Sequence, residues 1–171
     1  MKIKKASISK TDLISQFLPA DYTECLQCNL SSTKRITADD IMVTFWTVPP
    51  QWVDSLFKLR DILVKPFGIQ GGSDGNKQEL EKSIRAGGTY KFMSISAKSD
   101  KETILCASDK HLVMYLSIKI KELNEGNKQV TASTLVKFNN LLGRAYFFII
   151  YPFHCIIVKT MLKSVLKKLN S

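Results

Sequence analysis

The sequence predicts one α+β domain in which a curved antiparallel sheet grips a long carboxy-terminal helix. Three observations carry that expectation. Apolar residues alternate over Leu112 to Ile120 and again over Val130 to Phe138, helical apolar spacing follows Pro49-Pro50, and about thirty closing residues read as one helix. A sheet with one apolar face must bury it, and the closing helix supplies the cover. With 171 residues, roughly 70% of the unfolded chain's surface can be buried, so one core is attainable without disulfides or metals.

The first strand is expected from Tyr22 to Leu30, where Tyr22, Leu26, Cys28 and Leu30 share one parity and Thr23, Cys25, Gln27 and Asn29 the other. Thr37 can cap a short helix running to about Trp46, and Pro49-Pro50 opens a second. In that second helix Trp52, Leu56, Leu59 and Leu63 form a stripe with Val53, Phe57 and Val64 beside it, and Pro66 with Gly68 ends it. The Gly- and charge-rich stretch from Gly71 to Gly88 predicts a mobile loop with at most one short polar helix near Gln78 to Ile84. Strands follow at Tyr90 to Ala97 and Thr103 to Ser108, ahead of the two alternating ones, which the turn Asn124-Glu125-Gly126-Asn127 separates. The last helix is capped near Asn139 or Asn140, is kinked at Pro152, and presents Val158, Met161, Leu162, Val165, Leu166 and Leu169 on one stripe against Lys159, Lys163 and Lys167.

Hydrophobic residues at 44% and charged residues at 23% exclude a disordered chain. The net charge of +10 concentrates at the ends: Lys2, Lys4, Lys5 and Lys10 come first, and from Leu141 onward there are Arg144 and four lysines without one carboxylate. Residues 1–20 therefore read as a basic amino-terminal tail and lead-in, and residues 21–171 as the single domain. No apolar segment follows the first lysines, so no secretory leader is expected, and four scattered cysteines suit a reducing, cytoplasmic setting. The apolar run Ala145 to Val158 is 14 residues, a length that predicts a core helix rather than a bilayer span. Nucleic acid is not an expected partner, because the aromatic residues are predicted to point inward.

Three segments, PPQWVDSLFKLRDILVKPFGI, SDKHLVMYLSIKI and VKFNNLLGRAYFFIIYPFH, together resemble the uncharacterised domain-of-unknown-function family 2867. The likeness runs from about Tyr22 to Leu169. Its motif residues here are Trp52, Arg60, Asp109, His111, Asn139, Asn140, Gly143, Arg144, Tyr146, Pro152, Phe153 and His154. That family is similar to the START-like, helix-grip superfamily of polyketide cyclases and lipid-transfer proteins, and also occurs fused behind nucleotide-binding epimerase-like domains. The resemblance implies a fold and a ligand cavity, without a reaction or transferable catalytic residues. The Gly71 to Gly88 stretch departs from the family's short apolar turn.

Candidate ligand-binding residues are Trp52, Arg60, Tyr90, Asp109, His111, Tyr115, Asn140, Arg144, Tyr146 and His154. Arg60 falls among apolar positions and needs an acceptor, for which Asp109 is the preferred partner; an ordinary structural ion pair is the commoner use of such a pair. His111 and His154, the two histidines, can move protons near neutral pH, although hydrogen-bonded core histidines are commoner. Cys25-Leu26-Gln27-Cys28 spans a strand, where residues three apart point to opposite faces, so neither redox nor zinc chemistry is expected. No cofactor and no metal is expected. The leading expectation is a module that binds a small apolar or amphipathic ligand between sheet and helix. The alternatives are a cyclase- or isomerase-type enzyme using Asp109, His111 or His154, and weak contact of the basic terminal helix with anionic membranes.

Overall fold

The computed structural model describes residues 2–68, 75–124 and 126–170. Seven strands, β1 (Lys4–Lys5), β2 (Tyr22–Ser31), β3 (Thr89–Tyr90), β4 (Met93–Lys98), β5 (Glu102–Ser108), β6 (Leu112–Asn124) and β7 (Asn127–Phe138), form one antiparallel sheet. Their spatial order is β1-β2-β7-β6-β5-β4-β3, so a meander from β3 to β7 closes back onto β2. The helices are α1 (Ala38–Thr47), α2 (Gln51–Val64), α3 (Lys77–Ala86) and α4 (Leu141–Asn170). The domain is α+β, with the sheet packed on the long closing helix.

Strand parity decides the core. Leu26, Cys28 and Leu30 of β2, Leu116, Ile118 and Ile120 of β6, and Val130 and Ala132 of β7 bury against Val158, Met161, Leu162, Val165 and Leu166 of α4. The α4 residues recur at helical spacing, which turns one stripe of the helix toward the sheet and leaves Lys163 and Lys167 in water. α1 starts where expected because Thr37 and Asp40 form a capping box: the Asp40 N–H donates to Thr37 Oγ1 at 3.2 Å, and the Thr37 N–H donates to Asp40 Oδ2 at 2.9 Å. α4 runs as one element through Pro152.

One expectation needs correction. Residues 1–20 are not a free tail, although Lys2, Lys4, Lys5 and Lys10 are exposed. β1 pairs with β2, and Ile14, in a 3-10 turn over Leu13–Phe17, is fully buried with Ile104 and Leu135 on the sheet face turned away from α4. The anchor is Glu102, which is 3% exposed and accepts the N–H groups of Leu13 (2.8 Å) and Ile14 (3.2 Å) and the Ser117 hydroxyl (2.6 Å). Lys119 reaches Asp12 beside it. Each hydrogen bond to a buried carboxylate contributes about 1.5–3 kcal/mol, so Glu102→Gln is expected to lower unfolding stability by about 2 kcal/mol. It should also speed hydrogen exchange at Leu13 and Ile14; an unchanged denaturation midpoint would remove the anchor.

Within the Gly71 to Gly88 stretch the expected short polar helix is present and longer than its sequence pattern indicated. Residues 71–74 lie outside the described residues, but 77–86 form a ten-residue helix. Asn76 accepts the N–H groups of Gln78 and Glu79, Gly87 closes the other end with φ +73°, and Leu80 and Ile84 bury one turn apart. Two apolar residues at i and i+4 suffice to dock an otherwise polar helix.

Candidate functional site

A cavity of about 680 Å³ lies between the sheet and the helices. Its floor is the apolar parity of the strands: Met93 of β4, Ala107 of β5, Met114 and Leu116 of β6, Val136 of β7. α4 roofs it with Tyr146, Ile150, His154 and Ile157, and α1 and α2 supply Phe45, Trp46, Phe57 and Leu63 at the side. The space exists because α4 meets the sheet at two separated places. Its later half carries the apolar stripe into the core, and its start is pinned at Gly143, where any Cβ would stand 2.1 Å from the His111 carbonyl oxygen.

That pin is built largely from motif residues. Asp109 Oδ1 accepts the N–H groups of His111 (2.7 Å) and Leu112 (3.1 Å) at the β5–β6 turn. The His111 carbonyl accepts the Asn139 N–H at 2.9 Å. Asn140 donates to the Lys110 carbonyl and accepts the Gly143 N–H at 3.0 Å. The His111 ring is 6% exposed; Nε2 donates to the Phe67 carbonyl at 3.1 Å, since a carbonyl can only accept, and Nδ1 meets the Asn140 side-chain amide at 3.2 Å. His111 thus ties together the β5–β6 turn, the segment after α2, and the start of α4. Both ring nitrogens are engaged.

Of the ten residues expected at the site, Arg60, Tyr90, Asp109, Tyr146 and His154 line the cavity. His111 and Asn140 form the joint beside it. Trp52 is 45% exposed on α2, Arg144 lies over the Phe138 ring at 5.9 Å, and Tyr115 stacks on Phe17 at 4.2 Å, on the sheet face turned away from α4. The expected Arg60–Asp109 pair is not formed. Arg60 instead donates through Nε to the Tyr146 hydroxyl and pairs through Nη1 with Asp61 at 3.0 Å, while Asp109 Oδ1 accepts backbone N–H groups of its own turn. Burial raises the Tyr146 phenol above its ordinary range, so it stays neutral beside the guanidinium. Tyr90 accepts the Asn76 N–H at 2.6 Å and fastens α3 to the rim.

Sequence reasoning missed Glu24. It shares the parity of Tyr22, Leu26 and Cys28, so its side chain turns toward α4, where Oε2 stands 3.7 Å from His154 Nε2. Among the described residues neither atom has a hydrogen-bond partner, and both are shielded from solvent. Burial raises the Glu24 carboxyl, with Lys159 and Lys5 opposing, and pulls His154 down to about 4. Both groups are held toward their neutral forms. Tyr22 and Phe147 pack edge-on or tilted against the imidazole at 5.9 Å. The available signal was a carboxylate on an otherwise apolar strand parity.

Cys25 and Cys28 are both buried and unbonded. Cys28 sits in the main core while Cys25 meets Ser133 on the other face, and burial pushes the Cys28 thiol up to about 11. Such thiols are poor nucleophiles. Among the described residues no group of three or more His, Cys, Asp or Glu side chains is placed to hold a metal ion.

Comparison with curated proteins gives no match. Residues 17–161 match the family model described as "Protein of unknown function (DUF2867)", a span that contains the cavity, the Asp109–His111–Asn140–Gly143 joint and the Glu24–His154 pair, and the chain belongs to that family.

Proposed function

We propose that this chain is a START-like helix-grip domain that binds a small apolar or amphipathic ligand between the sheet and α4. The observation that carries the reading is the cavity itself. Its volume of about 680 Å³ falls within the ~300–1,000 Å³ usual for small-molecule sites, and its walls are mostly apolar with a few convergent polar groups. Arg60 with Tyr146 at one place, and His154 at another, supply the polar ends that would orient an amphipathic molecule.

The enzymatic alternative is best supported at His154. Asp109 Oδ1 and both His111 ring nitrogens are engaged in hydrogen bonds, whereas His154 lines the cavity with its Nε2 3.7 Å from the Glu24 carboxyl. A proton-transfer reaction in this cavity would run through that pair.

Titration with a fluorescent long-chain fatty acid tests the binding reading. Saturable 1:1 binding is expected, weakened at least about tenfold by Ala107→Phe and by Met114→Trp, each of which fills the cavity floor, with the melting temperature kept. Binding that neither substitution weakens, or that never saturates, would place the probe elsewhere and sink the proposal.

A further inference from the structure

Apolar side chains crowd the cavity mouth and face water. Leu59 (50% exposed), Leu63 (62%) and Phe67 (55%) at α2, and Ile149 (69%) and Phe153 (55%) on α4, line the cavity and are half or more exposed. Ile62 (69%) and Phe148 (81%) continue the same two helices outward without lining it. Soluble monomers rarely expose a contiguous apolar patch beyond a few hundred Å², and larger ones mark docking surfaces. We infer that this mouth docks on an anionic lipid bilayer, and that the cavity takes up its ligand from that bilayer.

Charge selects the bilayer over a second copy of the chain. Three exposed cations lie close to patch residues: Lys65 two residues before Phe67, Lys110 beside Gly68, and Arg144 one turn before Phe148 on α4, a helix with no carboxylate. The two acids of α2 are matched within the helix, Asp54 with Lys58 at 2.9 Å and Asp61 with Arg60 at 3.0 Å. A self-association through this face would bring together two chains of net charge +10, cation rim against cation rim. Anionic headgroups complement these cations.

Geometry sets the mode. α4 meets the length and composition of a membrane span, with only 17% of its most apolar window buried. Its later half, however, is held in the core by Met161, Leu162, Val165 and Leu166, and its start is pinned at His111. The helix therefore lies on the surface and dips its outer apolar side chains into the interface, as amphipathic surface helices do. Leu63 and Ile149 both line the cavity and are exposed, so a ligand passing from acyl chains to cavity meets apolar side chains at the mouth. The uptake part of this inference rests on the cavity being a binding site; the docking part does not.

Sedimentation with phosphatidylcholine vesicles, with and without phosphatidylglycerol, tests it on the full chain. Binding is expected with phosphatidylglycerol, falling steeply with added salt, and reduced at least tenfold in Ile62→Ser/Phe148→Ser. Lys163→Glu/Lys167→Glu, on the far lysine stripe, should weaken it much less. The Ile62→Ser/Phe148→Ser protein should keep its melting temperature and its fatty-acid affinity in solution, so loss of vesicle binding and loss of cavity binding are read separately. The inference is overturned if vesicle binding is absent at low salt, if the lysine-stripe variant loses more than the apolar one, or if light scattering shows a dimer that Phe148→Ser dissociates.

Discussion

Gly143→Ala is expected to cost about 3 kcal/mol of unfolding stability. A Cβ at that position would stand 2.1 Å from the His111 carbonyl oxygen and 2.8 Å from its carbon, both backbone atoms held by the Asn139 N–H and by the Asp109 cap on the preceding turn. Nothing flexible is available to yield, so either α4 or the β5–β6 turn must move, and overpacking of this kind costs about 1–3 kcal/mol or more. The sign is diagnostic. On intrinsic propensity alone, replacing a helical glycine with alanine stabilises by about 1 kcal/mol. A denaturation midpoint that rises, or stays put, would show that the start of α4 is not pinned to His111.

The second large effect is an acid-side loss of stability that originates at His154. Its ordinary pKa is about 6.5, and burial lowers it to about 4 in the folded protein. As pH falls through that window, the unfolded chain takes up a proton that the folded chain refuses. Stability attributable to this group is therefore intact above about pH 6.5 and declines on acidification until about pH 4, by up to about 3 kcal/mol. Glu24 acts in the opposite sense: its raised carboxyl favours folding at low pH, and that contribution is lost as pH rises through the folded-state value. Tyr22 and Glu24 of β2 face the imidazole; Tyr22 in turn interacts with Cys155 and Tyr151 of α4, and Glu24 with Lys159 of α4 and Lys5 of β1. Denaturant titrations at several pH values, comparing the parent with His154→Phe, check this. The parent should lose about 3 kcal/mol more than the variant between pH 7 and 4, and parallel curves would assign the acid sensitivity elsewhere.

Much of the scaffold was legible because its signals are local. The alternation in β6 and β7 named the buried parity correctly, the Thr37 cap started α1, and the apolar stripe from Val158 to Leu166 placed the end of α4 in the core. What could not be read depends on partners far along the chain. Ile14 is buried because Glu102, 88 residues later, accepts its N–H. Lysines at Lys2, Lys4 and Lys5 drew attention to charge and away from that pairing. α2 shows the same limit in reverse. Periodicity found its apolar stripe, yet only Val53 and Val64 are buried, while Trp52, Leu59 and Leu63 remain exposed. Hydrophobic spacing reports that a face wants cover and is silent on what covers it.

The site was legible in part, for a related reason. A motif says which residues recur together and does not say whether they hold a ligand or hold the backbone. Asp109, His111, Asn140 and Gly143 hold the backbone, through hydrogen bonds that depend on α4 returning to the β5–β6 turn. Arg60, Tyr146 and His154 face the cavity. Glu24 shows how a buried carboxyl can hide within an alternating strand: its neighbours at Tyr22 and Leu26 mask one discordant position.

Native mass spectrometry of the intact chain purified from its host is the most direct measurement of the central claim. The account predicts one apolar or amphipathic small molecule bound per chain, present in the parent and absent from Met114→Trp and Ala107→Phe proteins that melt at the parent temperature. A bare chain that also fails to take up added fatty acid, or an adduct that survives both substitutions, would contradict it.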